Sequence, residues 1–344
     1  MSLGKRAIDA LAETDAKGKF TRTPASYREI VSPDHAVYKP ETGRYHLYIS
    51  YACPWANRCL AVLKLKGLDA CIGFTAVHPT WQQTRPDPDT HCGWAFYQSG
   101  PDAKPLSNPT GMGSFSPSGC EANPHGKGGF VRDLYDESTT KYTVPVLWDT
   151  RTSTIVSNES ADIVRMLTQA FDEYATGPHA GLDLYPMSMR GEIDKVNDWV
   201  YPDINDGVYK CGFAKTQEAY DEAVTTLFAS LHRVEETLSA QRYLLGASLT
   251  EADVRLFMTL VRFDEVYVVY FKCNMKNIRD FPHTQAYLRD LYQMPAMRDS
   301  VNMEHIKTHY FTSHPSLNPY AVIPRGPDVL ADLALPHHRD TQFA

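Results

Sequence analysis

The sequence is poor in the features that would commit it to a membrane, to nucleic acid or to a cross-linked scaffold. No apolar run approaches the ~20 residues that a membrane span needs. Against 41 Asp+Glu stand only 34 Lys+Arg, a net charge of −7, so no basic excess points to nucleic acid or to an anionic bilayer. Residues 1–20 are charged and contain no apolar signal core, so a secretory leader is not expected. Paired C-x-x-C spacing is missing as well. The seven cysteines, Cys53, Cys59, Cys71, Cys92, Cys120, Cys211 and Cys273, are odd in number and scattered, which favours neither a disulfide framework nor a structural metal site. Reduced thiols in a cytoplasmic setting are expected. With 43% hydrophobic and 22% charged residues, the chain has neither a disordered nor a fibrous composition.

What is present reads as two domains, on the usual one to two hundred residues each for a chain of 344. Tyr45 to Ser50 has the aromatic and apolar content of a strand. After Tyr51-Ala52-Cys53-Pro54, the segment Trp55 to Lys66 has helical spacing through Ala56, Leu60 and Leu63, and Gly67 stands where a helix C-cap belongs. Cys71 to Val77 is a second strand, so residues 45–77 form a βαβ unit with a parallel pair. Gln98 to Gly129 is dense in Gly, Pro, Ser and Asn and reads as a long surface loop. Phe130 to Tyr135 follows as a short helix, then Thr143 to Trp148 and Thr154 to Val156 as a hairpin, and Ser157 as the N-cap of a helix to about Thr168. Beyond Gly177-Pro178 the strand signals fade. Met189 to Trp199, Gln217 to Ala240, Thr250 to Phe263 and Thr284 to Tyr292 read as helices, the third opened by a capping box in Thr250-Glu251-Ala252-Asp253. The tail beyond Phe311 is expected to lack regular structure.

Three features carry chemistry. Cys53 lies between a strand and a helix N-terminus, with Pro54 suited to the first helical position. Orphan amides and the helix dipole favour an anion there, and a thiol so placed can drop from about 8.5 into the range 3.5–7.5; the plain alternative is a buried, inert cysteine. Pro145, inside the strand-like Thr143-Val144-Pro145-Val146, removes a ladder donor. A cis peptide after Val144 at an active-site edge would account for it, leaving the Val144 backbone to pair with an extended ligand; an edge-strand proline is the simpler reading. Ser157-Asn158-Glu159-Ser160 opens a helix, where amides, a hydroxyl and a carboxylate could hold both the carboxylate and the ammonium of a peptide-like ligand, or merely cap the helix.

Taken in order, strand–Cys–Pro–helix, Val–Pro–strand and Glu–Ser–helix resemble a thioredoxin-fold glutathione transferase. Cys53-Pro54-Trp55-Ala56, Gly93-Trp94-Ala95-Phe96, Thr143 to Asp149, Ile155 to Ser160, Gly207-Val208-Tyr209-Lys210, Val261-Arg262-Phe263-Asp264, Phe271-Lys272-Cys273 and His309-Tyr310-Phe311 narrow the resemblance to the glutathionyl-hydroquinone reductases, the Xi-class transferases. The resemblance spans nearly the whole chain. It implies a fold with an α/β thioredoxin-like N-terminal domain and an all-α C-terminal domain. The implied layout is an extension at 1–40, a glutathione-binding domain at 41–175 that includes the loop 98–129, a helical domain at 185–312 and a tail at 313–344.

The same resemblance implies the site. Cys53 would be the catalytic thiol. Trp94, Val144, Glu159 and Ser160 would hold glutathione, with Lys141 where the family usually has Arg. Tyr209, Tyr267 and Tyr310 would line the hydroquinone site, with Tyr209 and Tyr310 assisting catalysis. Asn57 and Cys59 depart from the family's usual His and Thr, Asn205-Asp206 from its usual Asn-Asn, and Lys141 lacks the planar fork that grips a carboxylate twice. Ala56 stands three residues after Cys53, where a dithiol oxidoreductase carries its second cysteine, so an external thiol must complete turnover. The expected partners are glutathione as co-substrate, glutathionylated quinols and a second copy of the chain, with no metal, nucleic acid or membrane. An omega-like thioltransferase or dehydroascorbate reductase, and a non-enzymatic binding module on the same fold, are the rival readings.

Overall fold

The computed structural model describes residues 13–85, 89–126, 128–136 and 139–344. They form two compact units. The first comprises residues 24–180 and 301–324, and the second residues 13–23, 181–300 and 325–344.

The first unit is built on β1 (Tyr45–Ile49), whose five residues are all buried. Tyr45, Leu47, Tyr48 and Ile49 give the near-continuous apolar run of a central strand covered on both faces, with His46 as the polar exception. Helix α1 (Pro54–Leu65) follows, and then β2 (Gly73–Ala76), which pairs parallel to β1 as the βαβ reading requires. Gly67 terminates α1. Its φ of +63° is left-handed, Leu68 donates its amide to Leu63 and Gly67 to Lys64, and a Cβ at Gly67 would lie 2.2 Å from the Thr176 carbonyl oxygen. This is a Schellman ending that only glycine fits.

A two-residue ribbon, β3 (Gln82–Gln83) with β4 (Cys92–Gly93), precedes the long loop. Residues 98–126 contain no helix, but Leu106 and Phe115 pair across the loop and Cys120 is buried at its end. Val131–Leu134 is a single turn of 3-10 helix. The hairpin then forms from β5 (Val146–Asp149) and β6 (Thr154–Ser157), completing a sheet in the order β2–β1–β5–β6. β5 is therefore interior. The expected strand start at Thr143 moves to Val146, because Pro145 has no N–H to give a central ladder. A buried fork ties the sheet: Arg44 donates from Nε and Nη2 to the two carboxylate oxygens of Asp149 at 2.9 and 2.8 Å.

The helix after the hairpin starts later than expected. Ser157 stays in the ladder opposite Leu147 and its Oγ accepts the Glu159 amide at 3.1 Å. Glu159 is the N-cap, accepting from Ala161 N, and α2 runs Ser160–Gln169. The strand pairing outcompetes the serine for cap duty.

The second unit is helical. It contains α3 (Arg190–Val200), α4 (Gly207–Phe213), α5 (Gln217–Ala240), α6 (Glu251–Arg262) and the helix Pro282–Tyr292. The capping box of α6 is present. Its Asp253 is fully buried, accepting from Thr250 N, Thr250 Oγ1, Leu244 N and Tyr287 Oη at 2.8–2.9 Å. The expectation of an irregular tail is corrected on two points. Met303–Thr312 is a helix that extends past Phe311, and Val329–Leu333 and Arg339–Gln342 are short helices. Arg339 is fully buried and donates to the carbonyls of Leu238, Gln241 and Arg242 at the end of α5. It thus satisfies acceptors that the helix itself leaves orphaned. Prolines and histidines around these short helices mask them in the sequence.

Candidate active site

Cys53 is the N-cap of α1, with Pro54 at the first helical position. Its carbonyl accepts the Asn57 amide at 2.8 Å, so the helix begins at this residue. The side chain is half-buried, and Sγ donates to the Val144 carbonyl oxygen at 3.5 Å. The Val144–Pro145 peptide is cis. Strand β5 and helix α1 thereby bring the thiol and the Val144 backbone together, although 91 residues separate them.

The approach to Val144 is held from behind. Tyr135 Oη donates to the Thr143 carbonyl at 2.7 Å and accepts from Asn158 Nδ2 at 3.2 Å. Asn158 Oδ1 in turn accepts the Tyr27 amide at 3.0 Å. Burial pushes the Tyr135 phenol up to about 12, which keeps it a hydroxyl donor across the neutral range. In the sequence Tyr135 is given no site role, and Asn158 is named only within the Ser157–Ser160 motif.

Glu159 and Ser160 open α2, where amides converge. They are reached from α1 by Arg58, whose side chain is only 4% exposed. Its Nη2 donates to Ser160 Oγ at 2.6 Å and lies 3.7 Å from Glu159 Oε1. The signal that could have found Arg58 is the one cation between Ala56 and Leu63, a stretch of α1 whose other residues apart from Asn57 are apolar or cysteine. Cys59, also buried, has its Sγ 3.5 and 3.6 Å from the carbonyls of Trp55 and Ser160, which makes it a further α1–α2 contact.

Trp94 follows β4 and is 7% exposed. Its ring lies 4.5 Å from that of His309 and edge-on to Trp81 at 5.6 Å. His309 Nδ1 sits 2.9 Å from the Pro79 carbonyl and 3.0 Å from Ser313 Oγ. Tyr310, next to His309, is 1% exposed. Lys141 is partly exposed, and its amide donates to Thr139 Oγ1 at 3.2 Å.

Two of the expected residues belong to the second unit. Tyr209, on α4, is 8% exposed among Phe20, Phe213 and Phe271, with the Arg22 guanidinium 5.1 Å over its ring. Tyr267 is fully buried and stacks on Phe271 at 5.5 Å. Among the described residues no group of three or more His, Cys, Asp or Glu could hold a metal ion, and no described helix is long and apolar enough to cross a membrane.

Two family models match the chain: the glutathione S-transferase N-terminal domain over residues 52–170 and the C-terminal domain over residues 217–290. The glutathionyl-hydroquinone reductase YqjG of Escherichia coli is 44% identical, over 95% of this chain and 94% of that protein. The Xi glutathione transferase of Phanerochaete chrysosporium, known as a crystal structure, superposes with a TM-score of 0.81 at 46% identity, covering 94% of this chain and 96% of that one. The chain belongs to the Xi-class glutathione transferases. The glutathione-bound structure of YqjG superposes with a TM-score of 0.80 at 42% identity, over 92% of this chain and 97% of that one. As a Xi-class transferase, the chain carries the expected mixed sheet in its N-terminal region and helices in its C-terminal region.

Proposed function

We propose that this Xi-class transferase reduces glutathionyl-hydroquinones to hydroquinones at the expense of glutathione, with Cys53 as nucleophile. The observation that carries the reading is the Cys53 thiol at the start of α1, 3.5 Å from the Val144 carbonyl. Glutathione fits the surrounding groups. An extended peptide pairs with the Val144 backbone, and its γ-glutamyl end presents a carboxylate and an ammonium to Ser160 and Glu159. Trp94 and Lys141 complete the proposed glutathione contacts.

The cycle balances with one further glutathione. The Cys53 thiolate attacks the sulfur of the glutathionyl-hydroquinone. The bond between that sulfur and the ring carbon breaks, the carbon takes a proton, and a Cys53–glutathione disulfide remains. A second glutathione thiolate attacks that disulfide, releasing oxidised glutathione and restoring the Cys53 thiolate. Tyr209 and Tyr310 are the proposed hydroxyl groups that polarise the quinol and supply the proton, and Tyr267 is a proposed wall of its site. A homodimer in a reducing cytosol belongs to the same proposal.

The test is release of hydroquinone from a glutathionyl-hydroquinone under excess glutathione, set beside dehydroascorbate reduction by the same preparation. Hydroquinone release is expected to exceed dehydroascorbate reduction by an order of magnitude or more in kcat/KM. The reverse ranking would make the chain an omega-like thioltransferase instead.

A further inference from the structure

Arg58 has no role in the proposed chemistry, yet it is a buried cation directed at two of the residues proposed to hold glutathione. A serine hydroxyl has one proton and two lone pairs and can serve as donor or acceptor. At Ser160 that choice is narrowed. Arg58 Nη2 donates to Ser160 Oγ at 2.6 Å, so a lone pair is committed to a cation and the proton must go elsewhere. Ser160 is itself 3% exposed, and its hydroxyl makes no other hydrogen bond among the described residues. The guanidinium is not saturated by this contact. Its Nε is buried with no hydrogen-bond partner among the described residues, and its charge lies 3.7 Å from Glu159 Oε1.

We propose that Arg58 is a positioning residue that biases the Ser160 hydroxyl toward donating, so that this end of the site favours a carboxylate. The proposal rests on the reading of Glu159–Ser160 as the holders of the γ-glutamyl end. Two physical effects combine. A hydroxyl whose oxygen already accepts from a cation is a stronger donor to an anion. The guanidinium also offsets the Glu159 carboxylate, which would otherwise repel the incoming carboxylate while attracting the ammonium beside it.

The experiment measures binding of glutathione, and of a glutathione analogue lacking the glutamyl α-carboxylate, by calorimetry on the full chain. The variants are Ser160→Ala, Arg58→Met and the double variant. Ser160→Ala and Arg58→Met are each expected to weaken glutathione binding on the order of ten-fold or more while leaving the analogue nearly unchanged. Adding Arg58→Met to Ser160→Ala is expected to cost less than it costs the wild type, because the part of its effect that runs through the Ser160 hydrogen bond is already lost and only the offset of Glu159 remains. Equal weakening of both ligands by Arg58→Met, or full additivity in the double variant, would mean that Arg58 only supports the fold, and would overturn the inference. Ser160→Ala without effect on glutathione would instead remove the reading on which it rests. Should Arg58→Met not fold, Arg58→Lys keeps the charge while displacing the donor, and a coupling of the same sign is expected; additivity there overturns the inference equally.

Discussion

At the scale of the residue, the chemistry depends on which cysteine can react. Cys59 and Cys211 are fully buried and Cys120 nearly so, its thiol pushed up to about 12 by burial. Cys53 is half-buried at a helix start. Cys53→Ser is expected to keep the fold and lose turnover by about a thousand-fold or more, since serine cannot form the mixed disulfide; steady-state hydroquinone release measures this. Treatment with oxidised glutathione should add one glutathione to Cys53, and peptide mapping that finds it on Cys59, Cys92 or Cys211 would count against the nucleophile. The tyrosines give a second prediction. Tyr209→Phe and Tyr310→Phe should each slow hydroquinone release by about ten-fold or more while barely changing reduction of hydroxyethyl disulfide, because a hydroxyl used only in the transition state lowers turnover on the substrate that needs it. Equal losses on both substrates would assign these rings to the fold, for which their burial provides a ready basis.

At the scale of the element, helix ends carry unusual weight in this chain. The start of α1 holds the thiol, the start of α2 holds Glu159 and Ser160, and the end of α5 is closed by a side chain from the C-terminal tail. Arg339 donates to three backbone carbonyls there at 2.6–3.1 Å. Truncating it leaves buried acceptors without donors. Arg339→Ala is therefore expected to destabilise the chain by on the order of 3 kcal/mol, seen as a lowered midpoint in urea with glutathione binding retained in the surviving native fraction. An unchanged midpoint would show that water replaces the guanidinium and that the tail is not a structural clamp.

Over the whole molecule, acid should act through buried neutral histidines. Burial pulls His46 down to about 4, helped by the like charge of His125, with its Nε2 2.9 Å from Thr75 Oγ1. His305 is likewise drawn down to about 4 by burial, with His78 adding repulsion and the bond to the Ser118 carbonyl opposing. Unfolded, both rings would titrate near 6.5. Between about pH 6.5 and 4 the unfolded chain therefore binds more protons than the folded one, so stability falls as pH falls through that window. The loss is on the order of 3 kcal/mol per ring by pH 4. Thermal midpoints from pH 7 to 4.5 should drop steeply in the wild type and less steeply in His305→Gln, which keeps a donor for Ser118. Parallel curves would exclude His305 as a source of the acid sensitivity.

Local rules sufficed wherever one short segment decided the outcome. Alternating and apolar stretches marked β1, β2 and the β5–β6 hairpin, Gly67 marked the end of α1, and Thr250 with Asp253 marked the start of α6, because each depends on periodicity or on cap chemistry within a few residues. The order of Cys53, Pro145 and Glu159-Ser160 was legible for the same reason, as was the family. Tertiary structure decided what depends on distant partners. Ser157 lost the cap to Glu159 because its backbone was already committed to Leu147. Pro145 proved to precede an interior strand, since the position of β5 depends on its pairing with β1. Arg58 reads in sequence as one more helical cation, and only the packing of α1 against α2 brings it to Ser160. Arg339 acquires its role because the tail returns to the end of α5, and a contact closed over about a hundred residues leaves no periodic trace in the chain that makes it.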